Sequence, residues 1–418
     1  MSNRKFENKP EDIVIVSGAR TAVGKFGGSL KTLSAIDMGS IVVAEAVKRA
    51  GIDPSVVDEC IIGQVGSWGE NGFVARAISL KAGLPNETCA YSVNRQCGSG
   101  LQSIADGIME IKCGQSEVVV AGGAESLSQL PYYVPSARWG ARMGHKQFED
   151  GVIDILTWPL DHSHNGITAE NVAKKFNVSR EEQDAFAAQS QQRACKAIAE
   201  GVYTDEIVPV EIKGRQGAVT VFDTDENPRE GVTAESLARL KPCFVTDGTG
   251  TVTAANSSSL NDAAAAVVIM TRAKAEELGC TPMVCIRDFA VAGYEASLMG
   301  YSPYFSSKKL AEKLDIDLTD VDFFEINEAF ASQAFAVSRD LGLDPEKVNI
   351  YGGGISIGHP IGATGTILAI KCAYELAQRH QEKQDAMVSM CIGGGKGISM
   401  SSRRSRPRRP VSGSSLRC

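Results

Sequence analysis

The sequence predicts an α/β protein built from a duplicated unit of strands and helices. The segment "GIDPSVVDECIIG" at 51–63 matches "DIDLTDVDFFEIN" at 315–327, a fixed offset of 264 positions. With the offset increased by one residue, "CGSG" at 97–100 matches "GATG" at 362–365, and apolar residues at helical spacing follow each of them. A hydrophobic strand that ends in glycines comes next in both, "EVVVAGGAE" and "AMVSMCIGGGKG". Three matches in the same order indicate a repeated α/β unit.

The length of 418 residues exceeds one ordinary domain, and the repeat divides the chain into units. The N-terminal half is predicted at 10–125 plus 251–280, and the C-terminal half at 281–400. Residues 126–250 differ in composition and are predicted to form an inserted loop domain, which contains a helix with a "SREE" capping start. Residues 401–418 hold six arginines and no acid, which predicts a disordered basic tail.

The composition excludes several classes of function. The net charge of −7 gives no basis for nucleic-acid binding. No apolar run reaches the roughly 20 residues of a membrane span, and the polar start differs from a secretory leader, so a cytoplasmic protein is expected. The 11 cysteines include no CxxC pair, which indicates free thiols and neither a disulfide framework nor a metal site.

Cys97 is the first candidate for chemistry, within "NRQCGSGLQ". It lies where a loop meets the start of a helix, and the glycines that follow allow a sharp bend and close approach of a substrate. Free N–H groups and the helix dipole at such a position are expected to lower the pKa of the thiol, and the same N–H groups could hold an oxyanion. The alternative is a packed, inert cysteine, which a lone motif of this kind more often marks.

Three later segments add to this candidate. Asn327 in "NEAF" follows a predicted strand, where polar groups are often displayed for function, although it could instead form an Asx turn or a helix cap. His359 lies in the glycine-rich loop that the repeat places opposite the Cys97 loop, so a Cys–His pair is plausible, whereas a surface histidine is the simpler alternative. Cys391 ends a strand before three glycines, or is another core cysteine.

Four segments together resemble the thiolase family in their order and spacing, and the resemblance covers roughly residues 10 to 400. They are "NRQCGSGLQ", "NEAF", "GGGISIGHPIGATG" and "CIGGGKG". "SGARTAVGKFGGSL" and "TVTAANSSSLNDAAAA" extend the resemblance. It implies an α/β, duplicated, five-layered αβαβα fold with an inserted loop domain that helps to bind coenzyme A.

The resemblance also implies roles for five residues. Cys97 would accept the acyl group, and His359 would deprotonate it. Cys391 would exchange a proton with the acetyl methyl group. Asn327 would position a water that, with His359, stabilises the thioester oxygen. The N–H groups of Cys97 and Gly393 would form a second oxyanion hole.

For coenzyme A, the resemblance points to contacts in the loop domain and beside it, namely Ser258, Ser236, Arg229 and His164. Coenzyme A thioesters and coenzyme A are then the substrates, and no prosthetic group or metal is implied. The segment "GGGKGIS" does not fit a phosphate-binding P-loop, because glycine follows the lysine. The family implies a homodimer or homotetramer, and "ARWGARMGHKQFEDG" resembles the loop that builds tetramers.

The predicted activity is acetyl-CoA C-acetyltransferase: reversible condensation of two acetyl-CoA to acetoacetyl-CoA and coenzyme A, or thiolysis. One alternative is a 3-ketoacyl-CoA thiolase of fatty-acid β-oxidation with a broader chain range, and another is a non-catalytic thiolase-like binding protein. Departures from the family pattern bear on the acyl chain: Asn165 stands in "HNG" where many acetoacetyl-specific members have "HMG". The apolar continuation after "GISM" is also missing, which predicts a truncated last strand.

Overall fold

The computed structural model describes residues 8–214, 217–380 and 382–405. Its strands are β1 (Ile13–Arg20), β2 (Gly24–Lys25), β3 (Glu59–Gly63), β4 (Cys89–Val93), β5 (Val118–Ser126), β6 (Tyr132–Tyr133), β7 (Glu149–Asp150), β8 (Val210–Lys213), β9 (Val219–Phe222), β10 (Asn261–Thr271), β11 (Val284–Gly293), β12 (Phe323–Ile326), β13 (Asp385–Ile392) and β14 (Lys396–Arg404). Its helices are α1 (Ala35–Ala50), α2 (Val74–Lys81), α3 (Ser99–Cys113), α4 (Gly151–Ile155), α5 (Asn165–Lys175), α6 (Arg180–Ala199), α7 (Ala234–Leu237), α8 (Arg272–Glu277), α9 (Ser302–Leu314), α10 (Ala331–Asp340) and α11 (Thr364–Tyr374).

Ten strands form one sheet that consists of two halves. Its order is β12-β13-β14-β11-β1-β10-β5-β3-β4, with β2 beside β10. The halves join where β1 meets β11, and this junction has only two residue pairs, Val14 with Cys285 and Ile15 with Val284. By contrast, β10 and β5 pair continuously from Asp262–Ser126 to Met270–Val118. The junction is therefore a narrow seam between two well-paired units.

The two halves repeat the same strand order. Apart from the short β2, the strands of the first half lie in the order β4-β3-β5-β10-β1. The strands of the second half lie in the order β12-β13-β14-β11, which is the same order without a counterpart of β4. A single parallel bridge between Phe324 and Val348 lies where that counterpart would be. The 3-10 turns before β3 and β12 are capped alike, by Asp53 and Asp317, each of which accepts the N–H two residues later. The predicted duplication is confirmed.

The helices complete five layers. Helices α3 and α11 contact each other and lie between the two half-sheets, because both touch strands of both halves. Helices α1 and α2 cover the outer face of the first half, and α9 covers that of the second, with α10 packed beside α9. The αβαβα fold predicted from the sequence is confirmed. Strands β6 to β9 and helices α4 to α7 form the insertion between β5 and β10.

The two central helices cross at glycines near their N-termini. A Cβ atom on Gly365 would lie 2.3 Å from the backbone N of Leu101, and one on Gly100 would lie 2.8 Å from the carbonyl O of Gly362. The Thr366 hydroxyl donates to the Gly100 carbonyl at 2.9 Å across the same contact. Because glycine alone fits this spacing, the turn before α3 and the loop before α11 lie side by side.

The C-terminal end of the sheet differs from the sequence prediction. Strand β14 is not truncated: it continues to Arg404, past position 401, where the basic tail was predicted to begin. Pairing with β11 on one side and β13 on the other gives this basic segment its backbone partners, and these outweigh its polar composition. Residues 406–418 of the predicted tail lie outside the described residues. Among the described residues, no helix is long and apolar enough to cross a membrane.

Substitution of Gly365 by alanine tests the helix crossing. Because the added methyl group would meet backbone atoms of α3, we expect overpacking to lower the free energy of unfolding by about 1–3 kcal/mol. Gly72→Ala is the matched control, since a Cβ there meets no atom within 4 Å. Urea denaturation of both variants measures the difference. Equal stability of the two variants would contradict the close crossing.

Candidate active site

Cys97 lies on a sharp turn between β4 and α3. The preceding residue, Gln96, has a left-handed backbone with φ of 46°, which is uncommon for a residue other than glycine. The N–H of Ser99 and its hydroxyl both donate to the Gln96 carbonyl and hold the turn closed. A strained turn between a strand and a helix is a recurrent way to present a nucleophile. The predicted position of Cys97 just before a helix is thus observed.

The electrostatic setting of Cys97 differs from the expectation. The side chain is only 7% exposed, and burial raises the pKa of the Cys97 thiol. The backbone N–H groups of Gly393 and of Cys97 itself, together with the Lys396 ammonium, oppose this shift without reversing it. The predicted lowering of the Cys97 pKa was therefore wrong in direction. That prediction considered the helix N-terminus but not the burial of the side chain.

Cys391 lies beside Cys97 at the end of β13. Its side chain is fully buried, and burial, followed by the charge of Cys97, raises the pKa of the Cys391 thiol well above its usual range. Apolar side chains surround it, among them Met299 and Phe330. Cys391 is therefore held as a neutral thiol next to the Cys97 thiol.

Thr364 fixes the tautomer of His359. The Thr364 hydroxyl donates its only proton to the Pro360 carbonyl at 2.9 Å, so toward the Nδ1 atom of His359, 2.6 Å away, it can only accept. Nδ1 then carries the proton and Nε2 keeps a lone pair. Burial lowers the pKa of His359 to about 4, so the ring is neutral at pH 7.

Asn327 faces the free nitrogen of this ring. Its Nδ2 atom lies 3.4 Å from the Nε2 atom of His359. The Oδ1 atom of Asn327 is buried and has no hydrogen-bond partner among the described residues. A buried acceptor without a partner is costly, so this oxygen is available to a water or a substrate group. The structure thus brings together Cys97, Cys391 and Gly393 in one group, and His359 and Asn327 in an adjoining pair.

Two buried side chains hold the His359 loop, and sequence reasoning missed both. The side-chain oxygen Oδ1 of Asn261 accepts the backbone N–H of His359 at 2.9 Å. A Glu125 carboxylate oxygen accepts the N–H of Gly362 at 2.9 Å, while the same carboxylate accepts from the turn after β3. The sequence did carry a sign of these contacts: each residue is a polar group at the end of an otherwise apolar strand, β10 or β5. Buried polar groups of this kind need hydrogen-bond partners. Thr364 was quoted within "GATG" but was given no role.

The four residues predicted to contact coenzyme A fall into two groups. Ser258 lies close to the site, because its N–H donates to the carbonyl of Ala329, two residues after Asn327. His164 caps the N-terminus of α5, and its ring stacks on that of Phe244 with 5.1 Å between the ring centroids. Ser236 and Arg229 are exposed in the insertion. The Ser236 hydroxyl is already used in the cap of α7, where it donates to the Thr233 carbonyl at 2.7 Å.

The loop before α5 closes one side of the site. Antiparallel pairing of Thr157 with His164 closes it, and the N–H of Trp158 donates to the Ser163 carbonyl. The Trp158 ring lies against Gly394, since a Cβ on that glycine would be 2.8 Å from the ring. The Asn165 amide nitrogen lies 3.9 Å from the Cβ position of Gly393. Trp158 and Asn165 therefore both border the glycine turn whose N–H reaches Cys97.

Comparison with known proteins places this geometry in a family. Two family profiles match, "Thiolase, N-terminal domain" over residues 13–273 and "Thiolase, C-terminal domain" over 280–404. An acetyl-CoA acetyltransferase of Pseudomonas aeruginosa is 45% identical over 93% of this chain and 98% of its own, and a beta-ketothiolase of Cupriavidus necator is 46% identical over 93% and 98%.

Solved structures give the same result. The crystal structure of the Bacillus anthracis acetyl-CoA acetyltransferase superposes with a TM-score of 0.90 at 41% identity, over 96% of this chain and all of that one. Human mitochondrial 3-ketoacyl-CoA thiolase in complex with CoA gives a TM-score of 0.90 at 38% identity, over 95% and 98%.

Histidine NMR tests the tautomer and the charge state of His359. In protein labelled with ¹⁵N-histidine, we expect the His359 ring to stay neutral from pH 8 to pH 5, with the proton on Nδ1, because burial holds its pKa near 4. Thr364→Val removes the acceptor and should shift the proton toward Nε2, whereas Thr364→Ser keeps the hydroxyl and should not. A proton on Nε2 in the unmodified protein would contradict the assignment.

Proposed function

The chain belongs to the thiolase family, and on that premise we propose that it is an acetyl-CoA C-acetyltransferase. It condenses two acetyl-CoA to acetoacetyl-CoA and coenzyme A, and it catalyses the reverse thiolysis. One observation carries the proposal: the Cys97 thiol, with two backbone N–H groups directed at it, lies beside a second buried thiol, Cys391. Coenzyme A thioesters are its substrates.

In the first half-reaction, Cys97 takes the acetyl group. The lone pair on the Nε2 atom of His359 removes the thiol proton, and the thiolate attacks the thioester carbonyl carbon. The N–H groups of Cys97 and Gly393 hold the oxyanion as it forms, and loss of one such donor typically costs about 10²–10³ in rate. The bond to coenzyme A then breaks, and the departing thiolate takes its proton from the Cys391 thiol, while His359 keeps the proton that it removed from Cys97.

In the second half-reaction, Cys391 provides the base. As the thiolate left by that transfer, it removes a proton from the methyl group of a second acetyl-CoA, and the raised pKa of Cys391 makes it a strong base. A water held by the Asn327 side chain and the protonated Nε2 atom of His359 donate hydrogen bonds to the enolate oxygen. The methyl carbon attacks the acetyl carbonyl, the Cys97 thiolate leaves, and His359 returns its proton to Cys97. Thiolysis runs these steps in reverse, and Cys391 then returns the proton.

A short acyl chain is favoured over the broader range of a β-oxidation thiolase. Trp158 fills the space beside Gly394, and the polar amide of Asn165 lies near Gly393, where a long apolar chain would gain little. The retained turn, loop and second cysteine argue against a non-catalytic binding protein.

Ser258 and His164, next to the site, are the residues we assign to coenzyme A binding, with Arg229 and Ser236 toward its outer end. The exposed Trp139, Met143 and Phe148 support a homotetramer built through the loop they share. We place the enzyme in the cytoplasm, where its thiols would stay reduced.

Acylation by acetyl-CoA tests the division between the two cysteines. Intact mass after mixing should rise by about 42 Da, the mass of an acetyl group replacing hydrogen, through the covalent route. Cys97→Ser should abolish this adduct at the thiol. Cys391→Ser should keep it while lowering the rate of acetoacetyl-CoA thiolysis by at least about 10². Equal loss of acylation in both variants, or no adduct and no thiolysis in folded protein, would defeat the proposal.

Trp158→Ala tests the limit on chain length. Two further methylenes buried in the vacated space contribute about 0.8 kcal/mol each, so we expect thiolysis of 3-ketohexanoyl-CoA relative to acetoacetyl-CoA to rise roughly tenfold in kcat/KM. Leu160→Ala is the control, because Leu160 is exposed at the tip of the same loop. An unchanged ratio in Trp158→Ala would remove Trp158 from the acyl pocket.

A further inference from the structure

A second cleft, of about 870 Å³, lies where the two half-sheets join. Its walls come from β1, from the start of α8, from the segment between α8 and β11, and from the turn after α11. Strand β10 connects it to the active site: Asn261, which holds His359, begins the strand, and Arg272 follows its last residue. At about 3.3 Å per residue, the cleft is roughly 33 Å from the His359 loop. It is therefore a separate feature.

Arg272 lines this cleft with an unpaired charge. The residue is only 3% exposed, and its Nε and Nη2 atoms have no hydrogen-bond partner among the described residues. Within the same ranges, no carboxylate forms an ion pair with it at 4 Å or less. The buried Cys285 thiol lies within reach of its side chain, and the Asp12 backbone carbonyl accepts its backbone N–H at 2.8 Å. A buried guanidinium without a counter-charge is strongly unfavourable, so an anion in the cleft would satisfy it.

Arginines outnumber acids among the other charged groups in the wall. Arg49 and Arg404 also line the cleft, and Glu276 is the one acid in its described lining. Arg49 already has partners: its Nε atom pairs with the Glu45 carboxylate at 2.9 Å, and its Nη1 atom donates to the Gly18 carbonyl at 3.0 Å and to the Tyr374 hydroxyl at 2.9 Å. The planar fork of arginine matches phosphate oxygens, and charge-assisted bonds of this kind are the stronger ones.

We propose that this cleft binds a phosphate group, free or as part of a small phosphorylated molecule, with Arg272 as the principal ligand. The volume falls within the range of about 300–1,000 Å³ that small-molecule sites occupy. The site is independent of the acyl-transfer chemistry, since it lies at the other end of β10.

Thermal unfolding of the full chain tests the proposal. The probes are inorganic phosphate and glycerol 3-phosphate, each compared with sodium chloride at the same ionic strength. Because a ligand of the folded state raises Tm with concentration, we expect a phosphate-dependent rise that gives a Kd. Arg272→Gln should weaken that Kd roughly tenfold or more, as loss of a charged hydrogen-bond donor predicts. Arg138→Gln, at an exposed arginine in the insertion, is the matched control and should bind as the unmodified protein does.

A second variant guards against a folding defect in Arg272→Gln. Gln378 is exposed in the cleft wall, so Gln378→Glu adds a negative charge without disturbing the core and should also weaken the Kd. Tighter binding of glycerol 3-phosphate than of phosphate would identify an organic phosphate, and equal binding would identify free phosphate. No rise in Tm with either probe, or an equal Kd in the unmodified protein, Arg272→Gln and Gln378→Glu, would overturn the site.

Discussion

The crossing of α3 and α11 is the contact on which the rest of the site depends. Each helix has a glycine as its second residue, and Gly100 and Gly365 let the two backbones approach until a methyl group no longer fits. Since a loop with a reactive residue precedes each helix, the crossing sets the Cys97 turn against the His359 loop. Duplication of the unit makes this possible, because two copies of one helix meet at equivalent positions.

Burial dominates the electrostatics of the site. It raises the pKa of both Cys97 and Cys391 and lowers that of His359, so all three groups favour their neutral forms. In the proposed mechanism, the charges that the chemistry needs arise only when a substrate carbonyl and its oxyanion donors are in place. Backbone N–H groups supply this stabilisation without a permanent charge, and they need no reorganisation during the reaction.

Local sequence and its repetition predicted most of the fold and the main residues of the site. The Cys97 turn, the His359 loop and the end of β13 each carry glycines that mark them. The direction of the Cys97 pKa, by contrast, depends on atoms brought from β13 and its turn. Thr364, Asn261 and Glu125 were missed as anchors of the His359 loop, because hydrogen bonds between distant parts of the chain leave no periodic pattern. Strand β14 extends past the predicted end, since pairing on both edges outweighs its basic composition.

The insertion between β5 and β10 has a consequence for the order of folding. In the second half, β13 and β14 are joined by the tight turn at Gly393, Gly394 and Gly395, whereas β11 reaches β14 only across all the residues between Gly293 and Lys396. In the first half, β10 reaches β5 only after the chain has closed a loop that contains the whole insertion, and longer loops cost more entropy and close more slowly. The turn that carries Gly393 is thus local, whereas its contact with Cys97 joins the two halves of the chain, and we expect that contact to form late in folding, after the long loops have closed.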